Sequence, residues 1–305
     1  MRIQPSRIIC ATDMSQYANQ TVVYGAAFAR LFNAKLYVCH VAEEPYMTSM
    51  HGHLAIDFVD IQKKLMETAK DEINAMMAGH DVEWEGVVVS GHVTDQLTAL
   101  VKEKKADLVI TATHVKSGIK RLILGSVTEH LMRTLHAPLL VLRGSKDRML
   151  DTGDQNFKLK RILVGCDFSP DANMAFNHAL SFAQEFQAEL HLAHVTVPPV
   201  FNMYPGPYIE PADRPAERIG QGYLQKLKAL IPEDATNWCT PKTVVLTGQP
   251  HEELNDYAKA NDIDLIVLGT RGIGLMETLF IGSTTDRLIR HATCPVLSVC
   301  HTPSR

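Results

Sequence analysis

Glycine and hydroxyl residues between positions 269 and 284 are the first candidates for chemistry in this 305-residue chain. Gly269 and Gly272 allow a tight loop in which the backbone comes close to a ligand. Gly282-Ser283-Thr284 opens a helical pattern, and the free amides and positive dipole end of a helix start suit a phosphate group. A Ser or Thr hydroxyl at such a position also serves as a helix cap, so each residue alone is compatible with an ordinary loop. The pattern as a whole indicates anion binding.

This segment belongs to the second of two copies of one pattern. Residues 7–15 (RIICATDMS) return as residues 161–169 (RILVGCDFS), and residues 34–41 return as residues 188–195, both 154 positions later. Gly125-Ser126 corresponds to Gly282-Ser283, 157 positions later. A period of this length is typical of a duplicated domain.

Short apolar runs alternate with helical patterns in each copy. In the first copy the predicted strands are Ile8–Ala11, Leu36–Cys39, Val87–Val89, Leu108–Ile110 and Leu139–Leu142. Continuous apolar runs are expected of parallel strands that are covered on both faces. Ser15 and Ser169 are predicted to cap the first helix of each copy. The predicted fold class is α/β, with two tandem open-sheet domains, each a five-stranded parallel sheet with helices on both faces. The predicted boundaries are 1–145 for the first domain, 146–157 for a polar linker and 158–305 for the second domain.

The spacing G-x2-G-x9-G-[ST], placed between a fourth parallel strand and a helix, resembles the phosphate loop of nucleotide-binding universal stress proteins. The resemblance extends over nearly the whole chain. It includes an Asp at the end of each first strand (Asp13, Asp167) and a His-Val pair at the end of each second strand (His40-Val41, His194-Val195). The chain is therefore identified as similar to tandem universal stress proteins of the E type. The resemblance implies a fold like that of the adenine nucleotide alpha hydrolases, with strand order 3-2-1-4-5.

The resemblance also implies roles for residues of the second copy. Asp167 would accept hydrogen bonds from the ribose or the adenine edge, and Val195 would contact adenine through its backbone. The remaining positions would line the ribose and hold the phosphates: Leu268, Gly269, Gly272, Gly282, Ser283 and Thr284. Arg271 would reach a phosphate, or else is a solvated surface arginine. The implied ligand is ATP or another adenine nucleotide, with or without Mg²⁺.

The first copy departs from this pattern where the phosphates would lie. Ala112 and Val115 replace the two loop glycines, while Asp13, Val41, Gly125 and Ser126 remain. A β-branched valine disfavours positive φ and places a side chain where a phosphate would approach. We expect this degenerate cleft to bind nothing or to take a different anionic ligand.

Composition excludes several other functions. A net charge of −4 argues against nucleic-acid binding, because few Lys and Arg residues are in excess to neutralise phosphates. No run of 18 apolar residues is present, so no membrane span is expected, and the first residues lack the apolar core of a signal peptide. Six cysteines without a CxxC pair read as free thiols of a cytoplasmic protein, and His51 and His53 lack a third metal ligand.

Two functions remain at this stage. The first is a cytoplasmic stress-response module that binds a nucleotide in its second domain, without catalytic residues of its own. The alternative is a scaffold that binds no nucleotide and acts through protein contacts or an apolar or anionic ligand. In either case the fifth strand of each domain is an expected sheet edge. These edges are expected to pair within the chain as a pseudo-dimer, and a homodimer remains open.

Overall fold

Strands and helices alternate through both halves of the chain in the computed structural model, which describes residues 3–15, 18–43, 53–113, 125–143, 159–197, 215–272 and 281–300. The first half contains β1 (Arg7–Ala11), α1 (Asn19–Phe32), β2 (Lys35–Ala42), α2 (His53–Met77), β3 (Trp84–Ser90), α3 (Val93–Lys104), β4 (Leu108–Ala112), α4 (Ser126–Thr134) and β5 (Leu139–Leu142). Each strand predicted in this half lies within an observed one.

The second half repeats the same succession. It contains β6 (Arg161–Gly165), α5 (Pro170–Phe186), β7 (Glu189–Thr196), α6 (Pro215–Leu230), a 3₁₀ turn (Glu233–Asn237), β8 (Thr240–Thr247), α7 (Pro250–Ala260), β9 (Leu265–Gly269), α8 (Ser283–His291) and β10 (Val296–Val299).

All ten strands join in one sheet of order β3-β2-β1-β4-β5-β10-β9-β6-β7-β8. Within each half the strands are parallel and follow the order 3-2-1-4-5. The two fifth strands pair antiparallel, with Val141 opposite Val296 and Leu140 opposite Leu297. The expected edge strands therefore cover each other inside the chain, and two separate sheets become one. Because strand direction reverses at this joint, the carboxyl ends of the two halves lie at opposite edges of the sheet.

Apolar side chains fill both faces of the sheet, as continuous hydrophobic strands require. One face packs against α1, α2, α5 and α6, and the other against α3, α4, α7 and α8. Each core contains residues of both halves. In the first core, Phe28 of the first half packs against Phe182 of the second half across the joint, with ring centroids 5.9 Å apart. On the opposite face Arg290 of α8 forms an ion pair with Glu129 of α4 at 3.3 Å.

The predicted helix caps differ between the halves. Ser169 is the N-cap of α5, and its hydroxyl accepts a hydrogen bond from the Ala172 amide. The prediction for Ser15 is wrong, because α1 begins only at Asn19 and its N-cap is Ala18. The Ser15 hydroxyl accepts from the Ala18 amide at 3.2 Å, ahead of the helix.

Some predicted features lie outside the described residues. These are the linker at 146–157, the loop position Val115 and His51. Within the described part of the chain, no helix has both the length and the apolar character needed to cross a bilayer.

Candidate functional site

A cavity of about 510 Å³ lies at the carboxyl ends of β6, β7 and β9, beside the start of α8. This is the edge of an open parallel sheet where ligands bind, close to the point where the strand order reverses between β6 and β9. All nine residues that the resemblance implies for nucleotide binding line it: Asp167, Val195, Leu268, Gly269, Arg271, Gly272, Gly282, Ser283 and Thr284. We refer to this cavity as the second-half cleft.

Asp167 shapes the turn that leads from β6 to α5. One of its carboxylate oxygens, Oδ1, accepts a hydrogen bond from the Ser169 amide at 3.0 Å, and the intervening Phe168 has a φ of 64°. The first half repeats this turn with Asp13, Ser15 and Met14, whose φ is also 64°. A structural role is therefore present at both aspartates, besides any contact with a ligand.

Gly272 lies directly against the Asp167 carboxylate. A Cβ atom at position 272 would be only 2.7 Å from Oδ2 of Asp167, so any larger residue would displace that carboxylate. Gly272 does not have a positive φ. The need for glycine at this position is thus one of space and not of left-handed backbone geometry.

Gly269 permits a close approach of two backbones. A Cβ atom there would be 2.7 Å from the Ala172 amide nitrogen and 2.7 Å from the Asp171 carbonyl carbon, in the first turn of α5. In the first half Ala112 occupies the corresponding place, and α1 begins at the counterpart of Asn173 rather than at that of Pro170. A methyl group is therefore present in the first half where the second half has none.

Arg271 is held by a buried carboxylate. Its backbone amide and its Nε both donate to Oδ2 of Asp171, at 3.0 and 3.1 Å, and its Nη2 lies 2.7 Å from Sγ of Cys300. The hydroxyl of Ser169 donates to the Arg271 carbonyl. Arg271 is therefore not a solvated surface arginine. It ties the loop after β9 to the N-terminus of α5.

Val195 presents peptide groups to the cleft. The carbonyl of Ala193 accepts from the Cys166 amide at 2.8 Å, at the point where β6 ends. In a parallel strand the peptide groups of residues two apart point to the same side, so those of Val195 point into the space beyond β6. They make no hydrogen bond to β6, whose pairing stops at Gly165 and Ala193.

His194 has a structural bond of its own. Its Nδ1 lies 2.8 Å from the Cys166 carbonyl oxygen, which only accepts, so Nδ1 carries the proton. His40 repeats the contact with Thr12 at 3.0 Å. Tyr223 of α6 packs on His194, with ring centroids 4.1 Å apart. Sequence reasoning missed Tyr223, because its helix carries no motif and the contact depends on how α6 packs.

The start of α8 has backbone amides and no capping side chain. Its N-cap is Gly282, whose amide donates to the Thr270 carbonyl at 2.8 Å and so closes the loop at its base. Thr285 is turned away, with its hydroxyl donating to the Gly269 carbonyl. The start of α5, which also borders the cleft, is already capped by Ser169. An anion would therefore find donors at α8 and not at α5.

Thiol chemistry is not indicated in either half. Cys166 lines the second-half cleft, and burial raises the pKa of its thiol to about 11. Cys39 lines the corresponding first-half cavity, and burial raises the pKa of that thiol to about 12. Both cysteines are protonated near neutral pH and are poor nucleophiles.

The first half keeps a cavity of similar size, about 520 Å³, which we call the first-half cleft. Its lining includes the predicted residues Asp13, Val41, Ala112, Gly125 and Ser126. Ala112 in place of a glycine has therefore not closed the cavity. Its walls are more polar than those of the second-half cleft, since Thr12 and Thr111 replace Cys166 and Leu268, and the carboxylate of Glu43 is added.

Comparison with known proteins agrees with this architecture. The profile of the universal stress protein family matches residues 5–143 and 158–299. A universal stress protein of Mycolicibacterium smegmatis is 24% identical over 295 residues, which are 96% of each chain. Universal stress protein MJ0531 of Methanocaldococcus jannaschii is 33% identical over 142 residues, covering 46% of this chain and 81% of that protein.

Among solved structures, a universal stress protein from Archaeoglobus fulgidus superposes with a TM-score of 0.71 at 18% identity, covering 98% of this chain and all of that one. This likeness concerns the fold. The profile matches both halves, so the chain belongs to the universal stress protein family and carries two of its domains in tandem.

Proposed function

We propose that this protein is a stress-response module that binds one adenine nucleotide, ATP, in the second-half cleft and acts as a regulatory binding protein rather than as an enzyme. The proposed domains are residues 1–145 and 158–305, joined by residues 146–157. A cytoplasmic location is part of the proposal, and the free cysteines fit a reducing compartment.

The observation that carries this proposal is that one cavity combines two chemically different groups of residues, one suited to a base and the other to phosphates. At one end the peptide groups of Val195 offer a donor and an acceptor beside an apolar floor of Leu254, Leu268 and Ala193. Such a pair matches the N1 acceptor and the N6 amino donor of adenine. At the other end the uncapped amides of α8 suit a phosphate chain. Asp167 also lines this cavity, and its carboxylate would accept hydrogen bonds from ribose hydroxyls.

The second-half cleft also has room for an adenine nucleotide. Its volume of about 510 Å³ falls in the usual range for small-molecule sites. Gly272 leaves open the space in front of Asp167. Bound ATP would bring Mg²⁺ with it on the phosphates, with the hydroxyls of Ser283 and Thr284 at hand as oxygen ligands.

The decisive experiment is calorimetric titration of the full chain with ATP, GTP and adenosine. We expect binding of one ATP per chain, about tenfold or more weaker binding of GTP because its base reverses the donor and acceptor, and weaker binding of adenosine because the α8 amides lose their partner. Failure of ATP to bind at millimolar concentration would exclude the proposal.

Matched variants locate the site. Gly272→Val places side-chain atoms on the Asp167 carboxylate and should lower ATP affinity by about tenfold or more. Gly125→Ala, at the start of α4, meets no atom of the described residues within 4 Å and should leave ATP binding unchanged. If a folded Gly272→Val protein binds ATP as well as the wild type does, the ligand is bound elsewhere.

A further inference from the structure

A third cavity, of about 440 Å³, lies at the joint between the halves, and we call it the joint cavity. It is found near the amino-terminal ends of β1 and β4, at the sheet edge opposite the first-half cleft. Residues 3–5 cover it and are fastened to α5, where the Ile3 amide donates to Ser181 Oγ at 2.9 Å and the Gln4 amide group donates to Glu185 at 3.2 Å. Both halves therefore contribute walls.

Its interior is apolar and its rim is basic. Ile3, Phe182 and Leu297 contribute apolar surface, whereas Lys102 and Lys105 are exposed at the mouth. Asp107, the one carboxylate among the described lining residues, already accepts hydrogen bonds from the Ser6 amide and hydroxyl and from the Arg7 amide. The lysine charges therefore outweigh that of the carboxylate at the mouth.

His178 of α5 faces this cavity and makes no hydrogen bond to any of the described residues. Burial lowers the pKa of its imidazole to about 4, so the ring is neutral near neutral pH. A neutral imidazole offers one donor and one acceptor, and none of the residues that the structure describes uses either of them.

The duplication supplies an internal comparison. The related space in the second half has a volume of about 300 Å³ and is lined by counterparts of joint-cavity residues, with no side chain from the other half. Tyr24 of α1 is the counterpart of His178, and it is 3% exposed. Charge differs as well, because Asp262 stands where Lys105 stands in the first half.

We propose that the joint cavity binds a small organic carboxylate, with its apolar body between Phe182, Leu297 and Ile3 and its carboxylate at Lys102 and Lys105. The smaller His178 leaves room for the body, and its ring is available to one polar atom of the ligand. A ligand seated there touches both halves, so its binding stabilises the joint between them. This site is separate from the proposed nucleotide cleft, and neither depends on the other.

The test uses the full chain and three probes with one carbon skeleton: 3-phenylpropionate, 3-phenylpropanol and 3-phenylpropylamine. Binding is measured by calorimetry and by the shift in thermal unfolding. We expect the carboxylate to bind best, the alcohol about tenfold more weakly and the amine most weakly. Equal binding of the carboxylate and the alcohol, or no binding of the carboxylate at millimolar concentration, would overturn the proposal.

Two variants replace a residue of the joint cavity by its counterpart in the other half of the chain. His178→Tyr fills the cavity and should abolish binding of the carboxylate and the alcohol alike. Lys105→Asp keeps the cavity and reverses a charge, so it should weaken only the carboxylate, by about tenfold or more. Lys105 has a φ of 52° and Asp262 a φ of 48°, so the second change adds no backbone strain. If Lys105→Asp binds the carboxylate as the wild type does, the assignment fails even where His178→Tyr does not fold.

Discussion

Gly269 brings the end of β9 into contact with the first turn of α5, and this closeness makes the position sensitive to a single methyl group. Gly269→Ala places a Cβ atom 2.7 Å from two backbone atoms of that turn. Because backbone cannot yield as a flexible side chain does, we expect a loss of about 1–3 kcal/mol in the free energy of unfolding. Urea denaturation of the full chain measures it.

Gly125→Ala is the control for this change, since its added methyl group has no neighbour within 4 Å in the described part of the chain. It should alter the free energy of unfolding by less than about 0.5 kcal/mol. A Gly269→Ala protein as stable as Gly125→Ala would show that α5 shifts without cost and would contradict this prediction.

His178 makes stability depend on pH in a window that its pKa defines. Burial lowers the pKa of the His178 imidazole in the folded state from 6.5 to about 4. Between these two pH values the unfolded chain therefore binds a proton at His178 that the folded chain does not. The free energy of unfolding therefore falls as the pH drops through this window. His178→Gln removes the contribution, and its stability should decline less than that of the wild type between pH 7 and about pH 5. Urea denaturation at the two pH values measures this difference. If the free energy of unfolding falls equally in the wild type and in His178→Gln, the assigned burial of His178 is contradicted.

Many residues of the candidate site could be predicted from the sequence, but the contacts that surround them could not. The spacing of Gly269, Gly272 and Gly282 points to one cavity, because loops after parallel strands meet at the same edge. The sequence does not reveal that glycine is needed for space, since the crowding atoms of Asp167 and Ala172 are about 100 positions away. The hydrogen bonds between Arg271 and Asp171 could not be predicted either, because the two residues are 100 positions apart.

At the scale of elements, the start of α5 and the loop after β9 depend on one hydroxyl group. Ser169 Oγ accepts from the Ala172 amide and donates to the Arg271 carbonyl. Ser169→Ala removes both bonds, and we expect a loss of about 1–2 kcal/mol in the free energy of unfolding. Ser15→Ala is the matched change in the first half, where α1 does not begin at this serine, and it should cost less. Similar losses in thermal or urea unfolding would mean that Ser169 is not acting as a cap.

The hydrophobic pattern of the sequence predicts the strands and helices themselves, but it does not predict where the helices begin. Strands buried on both faces are apolar throughout, so periodicity locates them in the first half. The identical Asp-x-Ser turns of the two halves suggest identical helix starts, yet α1 begins later than α5. Gly269 lies against the first turn of α5, and a contact between elements about 100 positions apart cannot be read from the local pattern.

At the scale of the whole molecule, the joint between β5 and β10 predicts that the halves are not independent. Both cores run through it, and Phe182 of the second half packs on Phe28 and Phe32 of the first. Residues 158–305 expressed alone would leave β10 as an open edge. We expect this fragment to self-associate through β10 or to be less stable than the full chain. Analytical ultracentrifugation with urea denaturation checks both outcomes, and a monomeric fragment of full stability would contradict them.

The covalent link between the halves also has an evolutionary consequence. In a symmetric dimer made from one gene, each substitution is present twice and must suit both copies of every interface and cleft. In a fused chain each half varies alone, so Ala112 stands opposite Gly269 and His178 opposite Tyr24 within one protein. The duplication has thus turned a symmetric pair into a permanently unequal one, in which one cleft can keep an inherited ligand while its twin acquires another.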